Sequence, residues 1–171
     1  LFHKAVPERI RSVLPNVRLI ALLRDPVERA LSQYFHARRH GYEQLDLIPA
    51  LEAEEQRLFG SDAVVSSADG IHYSYQKHSY VSRSRYELQL KRYRECFPKH
   101  QLLVLRSEDL FAHTDACWDG LLRFISVAPM PLPASLPHSN SGRGESVSVS
   151  LSLRRDLRQQ LAATYQWVER E

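Results

Sequence analysis

Val17 to Leu23 is apolar except for Arg18, and the chain then runs without a linker into Arg24-Asp25-Pro26. Bulky side chains on both faces are the pattern of a strand buried inside a mostly parallel sheet, whereas a half-exposed strand alternates polar and apolar residues. Such a strand needs helices above and below it. Asp25 provides a capping carboxylate, Pro26 the fixed φ favoured at the first helical position, and Glu28 an acid in the first turn. A helix is therefore expected from Pro26, with Val27, Ala30, Leu31 and Tyr34 on its inner face and Gly41 as a left-handed stop.

The alternation continues along the chain. Residues 5 to 14 carry Val6, Ile10, Val13 and Leu14 at helical spacing before Pro15-Asn16, and residues 49 to 59 predict a further helix. Gly60 to Tyr75 shows no period and reads as a long loop. Ser84 to Phe97 is helical through Tyr86, Leu90, Tyr93 and Phe97, and Pro98 ends it; Leu102 to Leu105 is a second buried strand. Helices are expected again at 114 to 125 and from Leu153 to Arg170, separated by an irregular proline-rich segment, Pro129 to Pro137. Two buried strands flanked by helices predict a three-layer α/β domain with a parallel sheet, of which this chain holds about two core strands. Parallel sheets usually have four or more strands, so others are expected upstream of Leu1, where the chain opens without a methionine.

A chain of 171 residues suits one domain with one ordinary core. Its net charge of +3 and pI near 9.0 favour anionic ligands but fall well short of a nucleic-acid arm. Cys96 and Cys117 are the only cysteines, which supports reduced thiols over a disulfide framework or a zinc site. No apolar run reaches the ~18 residues of a membrane span, and no signal peptide is apparent.

The chemistry concentrates where the first strand meets its helix, the edge at which open α/β sheets place ligands. Arg24 offers a permanently charged, planar fork of donors suited to a phosphate, and Ser32 adds a neutral hydroxyl from the helix. The plain alternative is an arginine paired with a neighbouring carboxylate. Ser32, His36 and His40 stand at successive i+4 steps, so they share one helix stripe that either lines a cleft or is a solvated face.

The block from Val17 to Tyr34 resembles the 3'-phosphate-binding motif of sulfotransferases that use 3'-phosphoadenosine 5'-phosphosulfate (PAPS): a strand, Arg-Asp-Pro, then a helix with Ser eight residues after the Arg. Gly41 to Gly60, with Ala50, Leu51, Glu52 and Arg57, is similar to the insert of bacterial members of the heparan-sulfate type, and Tyr86 to Leu110 is similar to their next helix, Phe-Pro turn and strand. The resemblance implies a P-loop-NTPase-like fold, PAPS as donor with bisphosphoadenosine (PAP) as product, no metal cofactor, and transfer of a sulfuryl group to a hydroxyl or amine, with a saccharide as the expected acceptor. It assigns Arg24 and Ser32 to the 3'-phosphate, and His36 and His40 to the acceptor side. Arg143 and Gly144 fall in the late loop that closes over the nucleotide.

Ser84 departs from the pattern, which has glycine there. The glycine-lysine loop that holds the 5'-phosphosulfate and the acidic general base are both expected upstream of Leu1, so this chain by itself is expected to be inactive. A bacterial cytoplasmic location is expected from the insert and the unpaired cysteines, with no nucleic acid as partner and no membrane span in this fragment. Two rival readings stand beside this one. The first is a P-loop kinase-like phosphotransferase, which lacks its GxxxxGK[ST] loop here; the second is a polyanion-binding module using Arg38, Arg39, Lys91, Arg92 and Arg94.

Overall fold

A computed structural model describes residues 2–67, 69–132 and 144–170. Strand β1 (Leu19–Leu23) pairs in parallel with β2 (Leu102–Arg106), in a register running from Leu19 opposite Leu102 to Leu23 opposite Arg106. β1 starts two residues later than the apolar run suggested. Helices α1 (Val6–Val13) and α7 (Tyr86–Cys96) pack on one face of the pair together with α11 (Ala162–Val168). Ala21 and Leu23 are buried there against Tyr86, Leu90, Tyr93 and Phe97. Burial of each large side chain contributes about 1.5–3 kcal/mol, so this cluster anchors the sheet. Ile20 and Leu22 point the other way and remain 47% and 53% exposed. Helices were expected on both faces; among the described residues the face of Ile20 and Leu22 is only partly covered.

Helix α2 (Pro26–Arg39) follows β1 as its sequence requires. The Asp25 carboxylate accepts from the Glu28 amide at 3.0 Å, and Val27, Ala30, Leu31 and Tyr34 are all buried. At its far end Gly41 adopts φ 71°, a backbone open to glycine at little cost. The Gly41 amide then donates to Arg38 O at 3.1 Å and the Tyr42 amide to Ala37 O at 2.9 Å, the paired bonds of a Schellman stop.

Elsewhere tertiary contacts override the local pattern. The helix expected at 49–59 is two, α3 (Leu47–Glu52) and α4 (Glu54–Leu58), divided at Ala53. The expected loop from Gly60 to Tyr75 contains α5 (Ser61–Ser66) and the start of α6 (Tyr73–Lys77). These short helices are secured from outside: Val65 and Tyr75 are buried, the His72 ring caps the Tyr75 amide, and the Tyr75 hydroxyl donates to Phe2 O. α8 (Ser107–Ala112) and α9 (Thr114–Ile125) follow β2. The single helix expected at the end is split at Leu161 into α10 (Leu151–Gln160) and α11, because α10 packs on α2 while α11 packs on α7. Pro129 to Leu132 has no regular structure, as the prolines require.

Candidate functional site

Because β1 and β2 run in parallel, both present their carboxyl ends to one edge. Arg24 leaves β1 there and Arg106 ends β2 there. Both line a cavity of about 170 Å³ that also receives Arg158 from α10, bordered by Asp25, Glu108 and Tyr165. Asp25 is engaged by its cap and by the Tyr165 hydroxyl at 2.8 Å, and Glu108 accepts from the Asp25 amide at 2.9 Å. Burial, followed by the bond to Asp25, raises the Tyr165 pKa, so its proton stays on that bond. A larger cavity of about 690 Å³ lies between α3, α4 and residues 81–85. It is lined by Glu52, Glu54, Glu55 and Arg85.

The Arg24 guanidinium is 49% exposed and reaches the Glu28 carboxylate only at 4.0 Å. Glu28 is held instead by Arg154 of α10, whose other nitrogen donates to Ser146 O at 2.5 Å. The nearby carboxylate therefore does not consume Arg24. Its backbone is fixed: Tyr86 donates to Arg24 O at 3.1 Å. Ser32 is half-buried on α2, and among the described residues its hydroxyl has no hydrogen-bond partner. Gly144, at φ 77°, opens a short 3₁₀ turn, Glu145–Ser148, that packs on α2. Arg39 secures that turn by an ion pair with Glu145 at 2.9 Å. Arg143 lies outside the described residues.

His36 and His40 stack on each other with ring centroids 4.1 Å apart, at the exposed end of α2, where His40 is the C-cap. Ser84, the departure from the glycine pattern, is fully buried and gives its hydroxyl to Pro26 O at 2.7 Å while accepting from Arg29 Nε at 2.6 Å. It thus ties the start of α7 to the start of α2. Burial lowers the Arg29 pKa to about 10, and its two terminal nitrogens donate to Gln33 and to Tyr80 O. The other arginines singled out as a basic surface are individually engaged. Arg38 donates to Gln44 O, Arg92 to Phe2 O, and Arg94 lies over the Trp167 ring.

Sequence reasoning missed Arg106, Arg154 and Arg158. Arg106 was within reach, since it ends the second apolar run as Arg24 follows the first. The other two sit on a helix far along the chain, and no local signal marks them.

The sequence matches the family described as "Sulfotransferase domain" over residues 1–133. It is 25% identical over 127 residues to the bifunctional heparan sulfate N-deacetylase/N-sulfotransferase of Drosophila melanogaster, covering 74% of this chain and 11% of that protein. Identity to the bifunctional heparan sulfate N-deacetylase/N-sulfotransferase 2 of Mus musculus is 29% over 126 residues, covering 74% and 13%. The chain thus spans about an eighth of the length of these relatives. The crystal structure of a sulfotransferase from Alicyclobacillus acidocaldarius superposes with a TM-score of 0.68 at 23% identity, covering 95% of this chain and 57% of that one. That superposition establishes the P-loop-like α/β fold. With residues 1–133 matched out of 171, the chain belongs to the sulfotransferase domain family.

Proposed function

We propose that this chain is the 3'-phosphoadenosine-binding part of a single sulfotransferase domain that uses PAPS, transferring its sulfuryl group to a hydroxyl or amine of a saccharide. The observation that carries this reading is the Arg24 guanidinium, presented at the carboxyl end of a parallel strand and held to a carboxylate only at 4.0 Å. Arg24 and Ser32 would bind the 3'-phosphate, with Arg143 and Gly144 closing over the nucleotide. His36 and His40 would face the acceptor. The relatives' names, which specify heparan sulfate, support the saccharide.

In the reaction a new bond forms between sulfur and the acceptor's oxygen or nitrogen, while the bond from sulfur to the bridging phosphate oxygen breaks. The acceptor proton passes to a general base, a role to which no described residue is assigned, and PAP leaves. The role of Arg24 is alignment: holding the distal phosphate fixes where the sulfuryl group points, the proximity contribution to catalysis. In isolation the chain should bind nucleotide without turnover. The test is calorimetric titration with PAP and with adenosine 5'-monophosphate. PAP should bind more tightly, and Arg24→Ala should remove most of that preference while the fold persists. A folded variant with its preference intact would overturn the assignment.

A further inference from the structure

A cavity of about 270 Å³ lies where the start of α7 faces α5 and the first described residues, and it shares no residue with the strand-end cavity. Arg85, Leu88, Gln89 and Arg92 reach it at positions i, i+3, i+4 and i+7, one face of α7, so the two arginines stand two turns or about 10 Å apart along one wall. Among the described residues the Arg85 guanidinium has no hydrogen-bond or ion-pair partner. Arg92 gives one terminal nitrogen to Phe2 O at 3.2 Å, while its Nε is buried without a partner. A buried donor left unmade is costly and therefore uncommon. Lys4 adds a third cation, engaged by Asp62, the one carboxylate on this wall. Across from α7, Ser61 opens α5; it is 4% exposed, borders the cavity, and has no hydrogen-bond partner for its hydroxyl among the described residues. α7 starts without a side-chain cap, so its first amides add their partial positive charge here. The acid in that first turn, Glu87, is engaged elsewhere by the Thr164 hydroxyl. The adjoining larger cavity shares Arg85 and brings Glu54 and Glu55 nearby. Glu54 accepts from the Val81 and Ser82 amides, and neither glutamate pairs with Arg85.

We propose that this cavity binds a tetrahedral oxyanion, a sulfate or phosphate group, held between Arg85 and Arg92 with the Ser61 hydroxyl opposite. The donors arrive from three directions, two along α7 and one from α5. Four oxygens in tetrahedral array can meet all three, whereas a planar carboxylate offers two. Arginine forks suit such an ion because each can give it two parallel, charge-assisted bonds. The rest of the wall is apolar, through Leu58, Leu88 and Phe2, and Phe2 is fixed by stacking on Tyr75 with ring centroids 4.6 Å apart. The cavity therefore suits the oxyanion either as a free ion or as the charged end of a sulfate or phosphate ester whose organic body lies on those side chains. The site is independent of the role given to Arg24.

The experiment is titration of the full chain with sodium sulfate, followed by amide-resolved NMR, against sodium chloride at matched ionic strength. Sulfate should give saturable shifts at the amides of Ser61 and Tyr86 to Leu88, and chloride none. Arg85→Gln and Arg92→Gln should each weaken this binding by at least about ten-fold, and Ser61→Ala by about two- to five-fold. The Arg85→Gln variant should keep the wild-type urea midpoint, since this side chain has no partner in the fold, so its lost binding is not lost folding. Arg24→Ala should leave the shifts in place. Titration with p-nitrophenyl sulfate separates the two sources: tighter binding than inorganic sulfate, with shifts extending to Leu58, identifies an ester, and equal affinity identifies the free ion. Shifts that do not saturate, or that chloride reproduces, mean an adventitious ion only and overturn the proposal, as does unchanged affinity in Arg85→Gln. A response abolished by Arg24→Ala yet intact in Arg85→Gln would place the ion at the strand ends, overturning this site while leaving the functional reading standing.

Discussion

The strand end at Arg24 and the buried cluster around Glu43 are both built from charged side chains, yet they are finished in opposite ways. The Glu43 side chain is 1% exposed and its two oxygens accept from Arg57 at 2.6 and 3.2 Å, from the Tyr80 hydroxyl at 2.7 Å, and from the Gln44 and Leu45 amides at 2.9 Å each. Every lone pair is used. At Arg24 the guanidinium is half-exposed with one loose carboxylate neighbour. The first cluster holds residues 42–58 against Tyr34 and α2; the second has donors left to offer. The Glu43 charge takes its partners from inside the chain, whereas the Arg24 charge is left incomplete, as its proposed ligand role requires.

Glu43→Ala would break the closed cluster and should have the largest effect. Removing one partner of a buried pair leaves Arg57 and Tyr80 uncompensated, at a cost of about 3–5 kcal/mol in urea denaturation. Loss below about 1 kcal/mol would mean that the cluster is not closed. Its pH dependence sharpens the contrast. Burial pushes the Glu43 carboxyl up, but the bonds from Arg57, Leu45 and Tyr80 prevail and hold it at about 2 against an ordinary 4.5. A depressed carboxylate stabilises the fold above its unfolded pKa. That stability should be complete above pH 4.5 and fall away as the pH drops toward 2, and Glu43→Gln should flatten this part of the profile.

Arg24→Ala tests the open site. It should reduce PAP affinity by about 1.5–3 kcal/mol, or roughly ten- to a hundred-fold, while stability measured by denaturation stays within about 0.5 kcal/mol. A comparable loss of stability would move Arg24 into the same class as Glu43. Ser84→Ala lies between the two regions. It leaves Arg29 Nε without its hydroxyl partner and should cost about 1–2 kcal/mol of stability, read from the urea midpoint. Ser32→Ala should have the smallest effect, about 1 kcal/mol in PAP affinity with no change in melting temperature, because it removes one neutral donor.

The sequence alone determined the apolar run that became β1, its parallel partner at Leu102, the Asp25 cap, the inner face of α2 and the stop at Gly41. These features depend on interactions between residues at most a few positions apart, or on an apolar pattern that any buried strand must carry, so spacing encodes them. Arg24 and Ser32 were singled out from the same local pattern. Only the tertiary structure decided that Glu43 meets Arg57 fourteen residues on and Tyr80 thirty-seven on, or that Arg154 rather than Arg24 holds Glu28. It also divided the last helix at Leu161, since α10 and α11 bury their faces against different neighbours. Pairings across such distances depend on how whole elements pack. A glutamate that will be buried and a glutamate that will stay in water look the same until that packing is known.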